Sequence, residues 1–199
     1  MQLMLSHTSP YARAVRIAIM LKGLDSECSM VWVDPASNTP ELVQANPSVK
    51  VPTLILDDGT TLTETLLIMQ YLERRAPNPP LLPNAQAIQE MSLAGRAIGL
   101  LDATVWMMLF NRSLATDENR NSVLPTRRLR AIERVLDELA EHPPRAVGAT
   151  PGMGQILLLC ALEYLEFRFP EMNATERAKL VEWCKPLKAS EPFHLTEFY

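Results

Sequence analysis

The sequence predicts a small α/β domain followed by an all-helical one. Three observations lead there. Up to about residue 75, strand and helix signals alternate in the order β-α-β-α-β-β-α. At 76–84 the run APNPPLLPN places four prolines in nine residues, which excludes regular helix and central strand. Beyond it, every periodic segment is helical. The expected division is a domain over 1–77, a linker over 78–87 and a helical domain over 88–199.

The elements follow in order. QLML, 2–5, reads as a short strand. In PYARAVRIAIML, the apolar residues Ala14, Val15, Ala18, Ile19 and Leu21 fall at helical spacing, and Gly23 supplies the stop. CSMVWV, 28–33, reads as a second strand, and PELVQAN starts a short helix at Pro40. VPTLILDDGTTLTE reads as strand, turn, strand, because the glycine of Asp58-Gly59 tolerates the positive φ of a tight hairpin. ETLLIMQYLERR is an amphipathic helix. A mixed sheet that starts β-α-β and ends in a hairpin resembles the thioredoxin fold.

In the second half, AIQEMSLAGRAIGLLDATVWMMLFNRSLA predicts one long helix and VLPTRRLRAIERVLDELAEH another. GQILLLCALEYLEF is apolar nearly all round, the mark of a helix buried on every side. ATERAKLVEWCKPLKA closes the bundle.

Composition narrows the function. The 199-residue chain is 47% hydrophobic and 21% charged, as in ordinary globular proteins. Its net charge is −4 with acids and bases interspersed, which argues against a nucleic-acid partner. The densest basic run, Arg127 to Arg134, alternates with apolar residues and reads as a solvated helix face. No uninterrupted apolar stretch approaches the ~18 residues of a membrane span, and the apolar start MQLML is too short for a signal peptide. Cys28, Cys160 and Cys184 are widely spaced with no C-x-x-C, so neither a disulfide framework nor a dithiol motif is expected. A reducing, cytoplasmic setting follows. His7, His142 and His194 have no partner at metal-ligand spacing, and no metal is expected.

One stretch, SHTSPYARAV, concentrates chemistry. Ser9 precedes Pro10, a favoured first helical residue, so Ser9 is a natural N-cap beside the positive end of a helix. Ser6 and Thr8 are neighbouring hydroxyls. TSPYARAVR after a first strand, NPSVKVPTL some way on, TETLLIMQYLE soon after, a proline-rich linker and a helical half together resemble the cytosolic glutathione S-transferase family. The resemblance covers essentially the whole chain. GQILLLCALEYLEFRFPE is similar to the buried helix of its bacterial members. Ser9 stands where cysteine-type classes carry Cys, so the subfamily resembled is the serine-type bacterial one.

The resemblance implies a site. A free thiol has a pKa of about 8.5, so little of it is thiolate at neutral pH. A hydroxyl donor and a helix N-terminus both favour the anion. Ser9 would supply both to glutathione, the co-substrate. Val51-Pro52 resembles the family's cis-proline, whose preceding residue pairs with the cysteinyl backbone of glutathione. Lys50 would reach the glycine carboxylate. Thr65 would hold the γ-glutamyl carboxylate at a helix N-terminus, and Glu64 the amino group. Ser37 and Asn38 lie in the loop that contacts the glycyl end in relatives.

The electrophile site is expected between the domains, lined by Tyr11, Trp106, Met107, Phe110 and Arg112. The apolar, methionine-rich VWMMLF suits varied hydrophobic substrates, and equally suits core or dimer packing. The implied activity is transfer of glutathione to hydrophobic electrophiles in detoxification, or reduction of peroxides, by a homodimer. The alternative is a non-catalytic glutathione- or ligand-binding protein, or a regulatory one, on the same fold. Two residues depart from the family pattern. Ile98 stands where relatives carry an acidic residue that reaches the partner's glutathione, with Asp102 one turn on. Gly152 and Gln155 stand where relatives carry the capping box of the buried helix.

Overall fold

The computed structural model describes residues 1–177 and 179–198. Four short strands form one sheet: β1 (Gln2–Leu5), β2 (Ser29–Trp32), β3 (Thr53–Ile55) and β4 (Thr61–Thr63), in the order β2-β1-β3-β4. β1 runs parallel to β2, with Leu3 opposite Met30, and antiparallel to β3, with Met4 opposite Thr53. β3 and β4 form the hairpin expected around Asp58-Gly59, and Gly59 has φ of 82°. β1 is buried on both faces: Leu3 and Leu5 on one are fully enclosed, and Met4 on the other is buried too. This is the thioredoxin-like arrangement that the sequence predicts.

Three helices belong to this half: α1 (Pro10–Leu21), α2 (Pro40–Ala45) and α3 (Thr65–Arg75). Two begin on a start signal, with Pro10 and Pro40 at first helical positions, and α3 begins at Thr65 after Glu64 turns the chain at φ of 66°. The helical half comprises α4 (Ala87–Ser113), α5 (Val123–Glu141), α6 (Met153–Arg168), α7 (Leu180–Lys188) and α8 (Glu191–His194). α6 is the hub. It packs on both α4 and α1, and Ile156 to Leu162 are fully buried.

Three elements differ from the sequence expectation. The last long helix starts at Leu180 rather than Ala174: Asn173 takes a left-handed conformation, and the Thr175 hydroxyl bonds to Glu166 instead of starting a helix. Ala178, within that expected helix, lies outside the described residues. α8 was not anticipated; four residues are too few for a periodic signal. Finally, α4 and its lead-in, Asn84–Ser113, are long and apolar enough to cross a membrane, with mean hydropathy 1.4 over an 18-residue window. Half of that window is packed inside the protein, where α5 and α6 cover it.

Two buried cations anchor α1, Lys22 to α3 and the proline-rich segment and Arg13 to the helical half. Lys22, at the end of α1, pairs with Glu73 of α3 and donates to the Pro79 carbonyl at 2.5 Å. Glu73 also accepts from the Leu81 N–H at 2.9 Å, so the proline-rich segment is held down although it has no regular structure. Arg13 of α1 meets Glu163 of α6 at 2.6 Å and donates to the Phe193 carbonyl and Thr196 hydroxyl, both at 3.3 Å.

The capping of α6 settles one of the two departures. Gln155 Oε1 accepts from the Gly152 N–H at 3.1 Å, but Gly152 has no side chain to return the bond. Glu90 of α4 supplies it, accepting from the Gly154 N–H at 2.9 Å. Burial raises the Glu90 carboxyl above its ordinary value, and the two backbone donors act against that rise. A Cβ on Gly152 would stand 2.3 Å from the Glu90 carboxyl, so the glycine is what lets the carboxylate in.

Candidate functional site

A cleft of about 690 Å³ runs between the two halves. Its first wall is made by loops. β1 ends at Leu5, and the turn Ser6–Ser9 closes with the Ser9 N–H on the Ser6 carbonyl at 3.3 Å. Ser9 then caps α1: its Oγ accepts from the Ala12 N–H at 3.2 Å. That bond uses a lone pair and leaves the hydroxyl proton able to donate. Capping and donation into the cleft are therefore compatible.

The second loop is shaped from behind by Asn46. Its buried amide donates to the Lys50 carbonyl and to Thr53 Oγ1, both at 3.1 Å, and its Oδ1 accepts from the Ser48 N–H. Val49 is held at φ of 52°, a rare conformation for a β-branched residue. Lys50, Val51 and Pro52 follow along the cleft, and the Val51-Pro52 bond is cis. The third loop ends at Glu64, whose φ of 66° turns the chain into α3. Thr65 is buried at the first position of that helix, where backbone N–H groups lack intrahelical partners. Ser9, Val51, Glu64 and Thr65 all line the one cleft.

The second wall is one helical face. Asp102, Val105, Trp106 and Leu109 of α4 line it, joined by Met108, by Arg128 of α5 and by Tyr164 of α6. The spacing 102, 105, 106, 109 is that of one side of a helix. Tyr11 crosses from α1, and its hydroxyl donates to Asp102. Burial first, and then that carboxylate, hold the Tyr11 phenol far above its ordinary value, so it is a donor and not a base. Trp106 stacks on Phe110 with centroids 5.1 Å apart, and the Arg128 guanidinium lies 5.8 Å from the Trp106 ring centre.

The expected site residues are thus placed as follows. Ser9, Lys50, Val51, Pro52, Glu64, Thr65, Tyr11 and Trp106 come together on the cleft. Asn38 does not. It ends a tight turn over Pro35–Ser37, knotted on the Asp34 side chain, and only Pro35 of that turn faces inward. Met107 and Phe110 are buried in the helical core, and Arg112 lies in the last turn of α4, off the cleft. A helix turns about 100° per residue, which puts Met107 on the opposite side of α4 from Val105 and Leu109. Sequence reasoning missed Asn46, Val49, Val105, Met108, Leu109, Arg128 and Tyr164 as lining residues. Asn46 before Pro47 carried a turn signal; Arg128 and Tyr164 carried none that separates them from their neighbours.

No cysteine lines the cleft. Burial raises all three thiols, Cys160 and Cys184 to about 12, so they are poor nucleophiles. Among the described residues there is no metal-binding cluster of His, Cys, Asp and Glu.

Known proteins share this fold. The N-terminal domain model of the glutathione S-transferases matches residues 3–80. A glutathione S-transferase from Methylobacterium radiotolerans, solved in complex with glutathione sulfonate, is 30% identical with a TM-score of 0.88, covering 100% of this chain and 94% of that one. One from Methylobacillus flagellatus, solved with glutathione bound, is 27% identical with a TM-score of 0.88, covering 100% and 99%. The uncharacterized GST-like protein YibF of Escherichia coli is 27% identical, covering 99% of this chain and 98% of its own.

Proposed function

The chain belongs to the glutathione S-transferase family, and we propose that it is a serine-type glutathione transferase that activates glutathione with Ser9. Glutathione lies along the loop wall. Thr65 and the first turn of α3 take the γ-glutamyl carboxylate, Glu64 the amino group, Val51 the cysteinyl backbone and Lys50 the glycine carboxylate. The sulfur then falls beside Ser9. The Ser9 hydroxyl donates to it, and the α1 N-terminus favours the negative charge. The thiolate attacks a hydrophobic electrophile on the helical wall, or reduces a peroxide.

The observation that carries the reading is Ser9 itself. Its oxygen accepts from Ala12 at 3.2 Å while its proton remains for the cleft that Glu64 and Thr65 share. Three buried, unpaired cysteines suit a reducing cytoplasm and leave no rival nucleophile. A homodimer through α3, α4 and α5 would cover Leu67, Ile88 and Met91, which are 56%, 74% and 54% exposed. Ile98 then replaces an acidic contact to the partner's glutathione, and the affinity is correspondingly modest.

Ultraviolet titration of bound glutathione tests this, with wild type against Ser9→Ala. A thiolate band present near neutral pH, displaced to higher pH by the substitution, is the expected result. A thiol that titrates as in water in both proteins would make Ser9 a cap alone and the protein a glutathione carrier.

A further inference from the structure

The cleft carries four charged side chains: Lys50, Glu64, Asp102 and Arg128. Lys50 and Glu64 stand on the loop wall, where glutathione uses them. Asp102 accepts the Tyr11 hydroxyl. Arg128 remains. No ion pair or hydrogen bond to it is found among the described residues; its one contact of this kind is with the Trp106 ring. It is set apart from the other arginines of α5. Arg127, Arg130 and Arg134 open on a different groove, with Asn121, Val123 and Thr126. Arg128 alone of that run faces the cleft.

Its surroundings restrict what it could meet. Val105, Trp106, Met108 and Leu109 make an apolar wall with one flat aromatic ring. Phe110 stacks on that ring from the core. A guanidinium is always charged and presents a planar fork that matches a carboxylate. An aromatic body lying against Trp106 would bring its substituents to that fork.

We propose that Arg128 sets the substrate class: the acceptor is an aromatic electrophile bearing a carboxylate. The aryl group packs on Trp106 and Leu109, and the carboxylate pairs with the Arg128 guanidinium. Tyr11, by donating to Asp102, moderates the like charge that α4 contributes to the same wall. The inference rests on the glutathione reading, because the acceptor is what glutathione's sulfur attacks. With an aryl chloride, the C–S bond forms as the C–Cl bond breaks, and chloride leaves with the electron pair. Nothing is oxidised or reduced.

Calorimetry with two glutathione conjugates separates the inference from its premise. The probes are S-benzylglutathione and S-(para-carboxybenzyl)glutathione. The wild type should bind the carboxylated conjugate about two- to fivefold more tightly, the effect of one ion pair at an exposed guanidinium. Arg128→Gln should abolish that preference, Arg128→Lys should retain part of it, and Arg130→Gln, on the other groove, should leave the ratio intact. Raising the salt should shrink the preference. The ratio of rates with 1-chloro-2,6-dinitrobenzene and 4-chloro-3,5-dinitrobenzoate should move in parallel. If the benzyl conjugate binds but the carboxylate adds nothing, or Arg128→Gln weakens both equally, the substrate class is wrong and the glutathione reading stands. If neither conjugate binds, both fall.

Discussion

The two walls of the cleft are built by different means. On the loop wall the backbone does the shaping. Ser9 caps a helix, Val49 and Glu64 hold positive φ, and Asn46 braces its turn from behind with three hydrogen bonds. On the helical wall, regular α4 simply turns side chains toward the space, and their identity decides what fits. The difference teaches where change is tolerated. Altering a helical-wall residue should alter selectivity with little effect on folding. Altering a loop-wall residue should trade stability against ligand binding, because positive-φ residues there cost stability while shaping the cleft.

The joint between the walls offers the largest effect. Arg13 is buried and links α1, which carries Ser9, to Glu163 on α6 and to the chain end at Phe193 and Thr196. Arg13→Met strands the Glu163 carboxylate among buried groups. Urea unfolding should register a loss of about 3–5 kcal/mol. A loss below about 1 kcal/mol would mean that the walls are held together mainly by apolar packing of α1 on α6.

On the loop wall, Glu64→Gly should do two opposite things. Glycine accepts φ of 66° without strain, so the unliganded protein gains about 1 kcal/mol in denaturant titration. Glutathione affinity should fall in the same variant, measured by calorimetry. A variant that loses both would show that Glu64 is held for the fold and not for the ligand.

The smallest stability effect belongs to the helical wall. Leu109 is half exposed, so Leu109→Ala should change stability by no more than about 0.5 kcal/mol while altering the ranking of hydrophobic acceptors in a rate panel. Equal loss for every acceptor would place Leu109 outside the acceptor site.

The loop wall was legible in the sequence to a degree that the helical wall was not. Ser9-Pro10 joins a capping residue to a favoured first helical residue, a preference that acts locally, whereas Val51-Pro52 and Glu64-Thr65 stood out only through their resemblance to the family's motifs. VWMMLF offered six apolar residues in a row with no way to choose among them. Only the rotation of α4 about its axis sends Trp106 to the cleft and Met107 to the core, and that rotation is set by what α5 and α6 bury. Asn38 stands off the cleft for a related reason: a polar loop residue was visible, but not that Asp34 would fold the turn upon itself.

By itself the sequence determined the order of every element but α8, the approximate ends of most of them and the α/β-then-helical class. Periodicity, proline, glycine and capping residues act over a few positions, so a linear reading captures them. The tertiary structure decided the pairings that cross the chain. Glu90 caps a helix that begins more than sixty residues later, completing a box that the local sequence leaves half made. Tyr11 meets Asp102 from the other half of the molecule, and Arg128 leaves its neighbours to face Trp106. Each depends on two surfaces brought together by burial of apolar side chains elsewhere, and no local preference encodes that distance.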